Sequence, residues 1–322
     1  MSSDRTQSRS PPEESAPPAK VRAYLELVRL PNVPTAIADV AMGFLFVRLT
    51  VGPEDGWTLG MLVAASGLLY AAGMVLNDLF DFQTDLEQRP DRPLPSGRVS
   101  RRAAGWLGWG LLLAGVVSAW LAAVIEGNSR PGVVAALLAG CVVLYDGYLK
   151  RTPLGPPTMG TCRMLNVLLG MSVAATPFRD EHWLVAGAVG TYIAGLTWLG
   201  RTEYRRSSRM HLLAATVVMM LGIGLLAWLP NCTENLVELI RLQPNRWRLL
   251  MAIVGMLIGW RCLRAVIEPT PYRVQAAVKH GILSLVVLDA AACFAACGLF
   301  WAVIILLLLV PAMFLGQWIY ST

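Results

Sequence analysis

Charge is scarce in this sequence. Only 15% of its 322 residues are Asp, Glu, Lys or Arg, 55% are hydrophobic, and mean hydropathy is +0.54. That length could hold two soluble domains, but successive apolar runs of about 20 residues leave no room for them. Histidine is scarcer still: His182, His211 and His280 stand too far apart in the chain for a metal cluster. The cysteines at 141, 162, 232, 262, 293 and 297 form no C-x-x-C pair and no zinc spacing. They read as packing residues and set no redox compartment. Residues 1–19 lack the apolar core of a signal peptide and are expected to form a disordered tail. The net charge of +6 is spread over loops, so nucleic acid is not an expected partner.

What charge there is gathers at Asn77-Asp78-Leu79-Phe80-Asp81-Phe82-Gln83-Thr84-Asp85, directly after the apolar run from Met61 to Leu76. At roughly 100° per residue, Asn77, Asp81, Asp85 and Asp78 fall near 0°, 40°, 80° and 100°, one quarter of a helix. Three carboxylates facing one way need a cation or a basic cluster. Their oxygens suit Mg²⁺, which takes one or two carboxylates plus phosphate oxygens and water. A solvated helix end whose acids pair with nearby arginines would use the same residues. Prolines and Gly97 then forbid a continuing helix, leaving an irregular loop that carries Arg89, Arg92 and Arg98.

The pattern N-D-x-x-D-x-x-x-D followed by R-P-x-R-P-L-P-S-G-R closely resembles the first signature of the UbiA-type membrane prenyltransferases. The resemblance implies an all-α polytopic bundle with a nine-helix core. It also implies Asp78, Asp81 and Asp85 as ligands of Mg²⁺ on a polyprenyl diphosphate, oriented by Asn77, with Arg92 and Arg98 on the phosphates. Arg29-Leu30-Pro31-Asn32, with Asp39 and Gly43, resembles the family's first helix and adds Asn32 as a substrate contact. Asp39 itself lies deep enough in an apolar run to demand a cavity or a partner.

Three further clusters bear on this. Tyr145-Asp146-Gly147-Tyr148-Leu149-Lys150-Arg151 ends the fourth apolar run and is similar to the family's Y-x-x-x-K-R element. Lys150 and Arg151 fit it, Asp146 stands where the tyrosine is wanted, and Tyr148 is two places off. Taken alone, the cluster is equally an aromatic belt with a basic anchor. Beside a diphosphate, Lys150 and Arg151 would bind phosphate oxygens. Met159-Gly160-Thr161-Cys162-Arg163-Met164-Leu165-Asn166 resembles an EboC-like subgroup of the superfamily, and Arg163 with Asn166 would face a polar cavity. Where typical members carry a second aspartate-rich motif, this chain has Gly200-Arg201-Thr202-Glu203-Tyr204-Arg205-Arg206. Glu203 stands among arginines, so Arg201 and its neighbours would neutralise diphosphate in place of part of a second metal site.

Spans are expected from Leu30 to about Thr50 and at about 57–78, 103–125, 131–149, 158–177, 183–200, 210–229 and 247–267. The run 273–316 is expected to split near Gly298, adding a C-terminal helix to the core. With residues 20–322 as one transmembrane domain and the N-terminus inside, the loops at 79–102, 150–157 and 201–209 collect the arginines on the cytoplasmic side of a cell membrane. The expected activity is Mg²⁺-dependent transfer of a prenyl group from a polyprenyl diphosphate to an unknown acceptor, in contact with membrane lipid. The rival is a lipid-binding or transport protein that keeps the diphosphate site without the chemistry.

Overall fold

The computed structural model describes residues 19–49, 51–203, 207–232 and 243–318. The expected tail, apart from Ala19, and the arginines at 205 and 206 lie outside them. The described residues fold into helices joined by short loops, and no strand occurs among them. A short α1 (Ala19–Leu27) leads into α2 (Val33–Arg48), α3 (Asp55–Phe80), α4 (Phe82–Gln88), α5 (Arg101–Glu126) and α6 (Arg130–Leu144). After a π-turn (Tyr145–Leu149) come α7 (Gly155–Met171), α8 (Asp180–Gly200), α9 (Arg209–Trp228), α10 (Pro244–Ile267), α11 (Pro271–Cys297), α12 (Leu299–Leu307) and α13 (Leu309–Trp318).

Nine helical segments among the described residues are long and apolar enough to cross a membrane. Helix α7, at 17 residues, is shorter, and it packs between α2 and α8. Pro156 and Pro157 fall in its first turn, where a missing N–H costs no hydrogen bond, so it begins earlier than expected and stops at Met171. Gly298, with φ 91°, breaks the long C-terminal run as the sequence predicted. Helix α2 is an inner element that touches α3, α7 and α11.

Glycines set the closest approach. A Cβ on Gly170 would overlap the carbonyl oxygen of Val40, and one on Gly43 would overlap that of Val167. Helices α2 and α7 therefore meet backbone to backbone, the packing that small residues permit where lipid offers no hydrophobic drive. At Gly140 an added Cβ meets nothing within 4 Å. Gly170→Ala is expected to destabilise the fold by about 1–3 kcal/mol through overpacking, while Gly140→Ala is neutral. Thermal unfolding of both variants in detergent checks this, and equal melting of the two would contradict the close crossing.

Candidate active site

The acidic stretch does not continue as one helix. Helix α3 ends at Phe80, Asp81 takes φ −86° and ψ 2°, and α4 starts at Phe82. Helical hydrogen bonds still bridge this point, from Asp81 N–H to the Asn77 carbonyl at 3.0 Å and from Asp85 N–H to the Asp81 carbonyl at 2.9 Å, so Asp78 stays beside Asp85 and Asn77 beside Asp81. Asp78 and Asp85, both buried, turn to one side and meet Arg92: its Nη1 is 3.2 Å from Asp78 Oδ1 and 2.8 Å from Asp85 Oδ2. Arg29 Nη2 adds a contact of 3.3 Å to Asp78 Oδ1. Its backbone is held at φ 48°, a left-handed conformation that costs a non-glycine residue energy and recurs at functional sites. The proline-rich loop is fixed from beneath, because Leu94 and Val99 pack with Val75 of α3 and with Ala23 and Leu27 of α1.

Asn77 and Asp81 turn to the other side, toward the segment after α6. Lys150 Nζ lies 2.8 Å from Asp81 Oδ2 and donates to Asn77 Oδ1 at 3.0 Å. Arg151 Nη2 reaches Asp81 Oδ1 at 2.8 Å and Thr84 Oγ1 at 3.1 Å. Arg201 does not point at the acids. It donates to the carbonyls of Lys150, at 2.9 Å, and Thr152, and so holds the loop that presents Lys150. Arg98 is drawn to Glu26 at 2.6 Å and to the Asp91 carbonyl, and Tyr148 is 74% exposed. Glu203 follows α8, where Gln275 donates to its backbone carbonyl. These four expected contacts are not gathered onto the carboxylates.

Between α3, α6 and α7 lies a small cleft of about 70 Å³, with apolar walls that include Leu69, Met74, Val142 and Met159. Arg163, Asn166 and Ser66 line one part of it, and Asp146 another. Behind the first part, Arg163 Nη1 donates to Asp39 Oδ2 at 2.6 Å and its Nη2 to Thr35 Oγ1 at 2.7 Å. Asn166 donates to the same Asp39 oxygen at 3.0 Å and accepts from Ser66 at 2.8 Å. Arg163 therefore points inward and does not snorkel. Asn32 caps this region, its carbonyl accepting from Thr35 at 2.8 Å. Asp289 of α11 also faces Asp39 and is buried, with no hydrogen-bond donor on either carboxyl oxygen among the described residues. The site reading from sequence had omitted Asp289 and Asp146; the signal for Asp289 was an acid inside an apolar helix.

Mg²⁺ fits this donor set in a narrower way than the sequence implied. No three carboxylate, thiol or imidazole groups converge among the described residues. Asp78 and Asp85, however, already converge on one cationic nitrogen of Arg92. Two carboxylates, with water and phosphate oxygens, are the usual protein share of a Mg²⁺ shell. Asp81 faces Lys150 and Arg151 instead.

A helical membrane bundle with an acid-and-arginine end beside an apolar interior cleft defines the class of protein. Residues 40–277 match the UbiA prenyltransferase family, and the chain belongs to it. The digeranylgeranylglyceryl phosphate synthase of Methanopyrus kandleri is 38% identical over 161 residues, 48% of this chain and 55% of that protein. The synthase of Saccharolobus solfataricus is 30% identical over 175 residues, 54% of this chain and 58% of its own length. The chain thus spans about half the length of the curated relatives it matches. A solved structure of a digeranylgeranylglyceryl phosphate synthase aligns with TM-score 0.64 at 22% identity, covering 87% of this chain and 99% of that one. A UbiA homolog from Archaeoglobus fulgidus bound to GPP and Mg²⁺ aligns with TM-score 0.56 at 12% identity, over 82% of this chain and 99% of the other. Both establish the shared fold.

Breaking a buried pair from one side leaves a charge without compensation. Asp39→Asn is expected to destabilise the protein by about 3–5 kcal/mol, and adding Arg163→Met should recover much of that loss. Unfolding of the two single variants and the double variant in detergent measures it. Additive losses would contradict the pair.

Proposed function

We propose that the protein transfers a prenyl group from a polyprenyl diphosphate to an acceptor in the cleft between α3, α6 and α7. The observation that carries this reading is the convergence of Asp78 and Asp85 on one Arg92 nitrogen at the end of α3. A divalent cation entering between them would release Arg92 toward the phosphates. Mg²⁺ bound there would offset the charge that develops on departing diphosphate. Arg29, Arg92, Lys150 and Arg151 are the cations placed to hold the phosphate oxygens, arginine as a fork and lysine as a point charge. Asn77 orients Lys150, and Arg201 positions it through its backbone. Arg98, Tyr148 and Glu203 are assigned to the outer edge of the site, where they would meet substrate only after moving. Fixed donors around a leaving group lower the barrier because they need no reorganisation as charge develops.

The names of the curated relatives make a prenylated glyceryl phosphate the first acceptor to try. The M-G-x-C-R-x-L-N string supports placing the chain in the EboC-like subgroup, with an acceptor of its own. The arginine-rich loops support a cytoplasmic N-terminus and site in a cell membrane. The rival reading, a diphosphate-binding lipid carrier, rests on Glu203 standing where the family's second acidic motif is expected.

Binding of geranyl diphosphate to the protein in nanodiscs, with and without Mg²⁺, tests the site. Asp78→Ala and Asp85→Ala should each weaken Mg²⁺-dependent binding by roughly 10–100-fold, the range for a disturbed metal shell. Asp81→Ala should lose less, because Asp81 faces Lys150 and Arg151. Undiminished binding in the first two variants would refute the metal assignment, and an equal loss in all three would refute the division of the acids.

A further inference from the structure

Prenyl transfer to an acceptor leaves a proton to be removed, and the acids at the end of α3 are poorly placed to take it. Asp78 and Asp85 are engaged by Arg92, and Asp81 by Lys150 and Arg151. Asp39 is held by Arg163 and Asn166 behind the cleft. Asp146 differs from all of these. It lines the cleft, only 3% of it is exposed, and no described residue gives its side chain a hydrogen bond or ion pair.

Its position follows from the π-turn over Tyr145–Leu149, in which one extra residue widens the turn and re-aims the side chains. Across the gap stands Gly73 of α3, where an added Cβ would lie 3.1 Å from Val142 Cγ1 and 4.0 Å from Asp146 Oδ2, so the glycine lets α3 approach this wall of the cleft closely. Lys150, Asp81, Arg29 and Asp78 act on Asp146 through space, so it lies within the field of the diphosphate cluster while facing the apolar cleft. Asp146 lines the cleft without a partner among the described residues, and a donor bound there would pair its carboxyl group. An alcohol supplies an O–H; a reacting aromatic carbon does not.

We propose that Asp146 is the general base for an alcohol acceptor bound in the cleft, an inference that rests on the prenyl-transfer reading. The acceptor hydroxyl donates a hydrogen bond to an Asp146 carboxylate oxygen. Its oxygen forms a bond to C1 of the prenyl group as the C1–O bond to diphosphate breaks. The bonding pair leaves with diphosphate, the hydroxyl proton passes to Asp146, and water later removes it. Every charge and proton in the step is accounted for without a redox partner.

The test uses the protein in nanodiscs with Mg²⁺, labelled geranylgeranyl diphosphate and three acceptors: geranylgeranylglyceryl phosphate, a long-chain alcohol and a phenol that can react at oxygen or at ring carbon. Diphosphate binding and labelled product are measured separately. Wild type should prenylate at least one hydroxyl. Asp146→Asn should bind the diphosphate as wild type does while kcat falls by roughly 10²-fold or more, the range for a lost general base. Asp146→Glu, or acetate added to Asp146→Ala, should restore part of the rate. A wild-type rate in Asp146→Asn overturns the assignment alone. Loss of diphosphate binding in that variant also overturns it, making Asp146 part of the phosphate site. Carbon prenylation of the phenol, or binding with no transfer to any hydroxyl, overturns the alcohol acceptor. A wild-type protein that fails to bind the diphosphate removes the prenyl-transfer reading itself.

Discussion

Two carboxylates at the end of a membrane helix need a positive charge between them, and here Arg92 Nη1 supplies it, 3.2 Å from Asp78 and 2.8 Å from Asp85. That contact fixes the irregular loop 89–100 against α3, with Leu94 and Val99 buried beneath it. On the proposed reading, it is also the place where a metal would compete with Arg92. Lys150 and Arg151 do the same for Asp81, so the acids are neutralised by two separate sets of cations. The cleft between α3, α6 and α7 lies next to both. On the proposed reading a phosphorylated head and an apolar chain would have adjoining places there.

Much of this was legible in the sequence, and the reasons are local. Apolar runs of about 20 residues mark membrane helices because lipid leaves the backbone no partner but itself. Gly298 marked the C-terminal break because its conformation is open to few other residues. The N-D-x-x-D-x-x-x-D stretch marked the acidic end. The helical count of angles set Asp85 beside Asp78 and Asp81 beside Asn77, the two pairs that Arg92 and Lys150 engage, but it could not register the break between α3 and α4. Arg98 and Arg201 were equally hard to place, since partners far along the chain draw them away from the motif. Glu26 takes the first, and the carbonyls of Lys150 and Thr152 take the second.

The interior carries the other half of the site. Asp39 and Arg163 are 124 positions apart, yet each is the other's reason for being tolerated in an apolar bundle. Their pairing ties α2 to α7, the helices whose glycines already bring the backbones together. Stability and site geometry therefore share elements: the crossing that holds the bundle also sets Arg163 and Asn166 at the cleft. Asp146 owes its inward position to a π-turn, which neither periodicity nor composition announces.

The most direct measurement is a structure of the protein with a non-hydrolysable geranylgeranyl diphosphate analogue and Mn²⁺, located by its anomalous scattering. The account predicts a metal peak between Asp78 and Asp85, with Arg92 moved onto the phosphates and Lys150 still beside Asp81. A peak at Asp81, or a diphosphate bound while Arg92 still bridges Asp78 and Asp85, would contradict it.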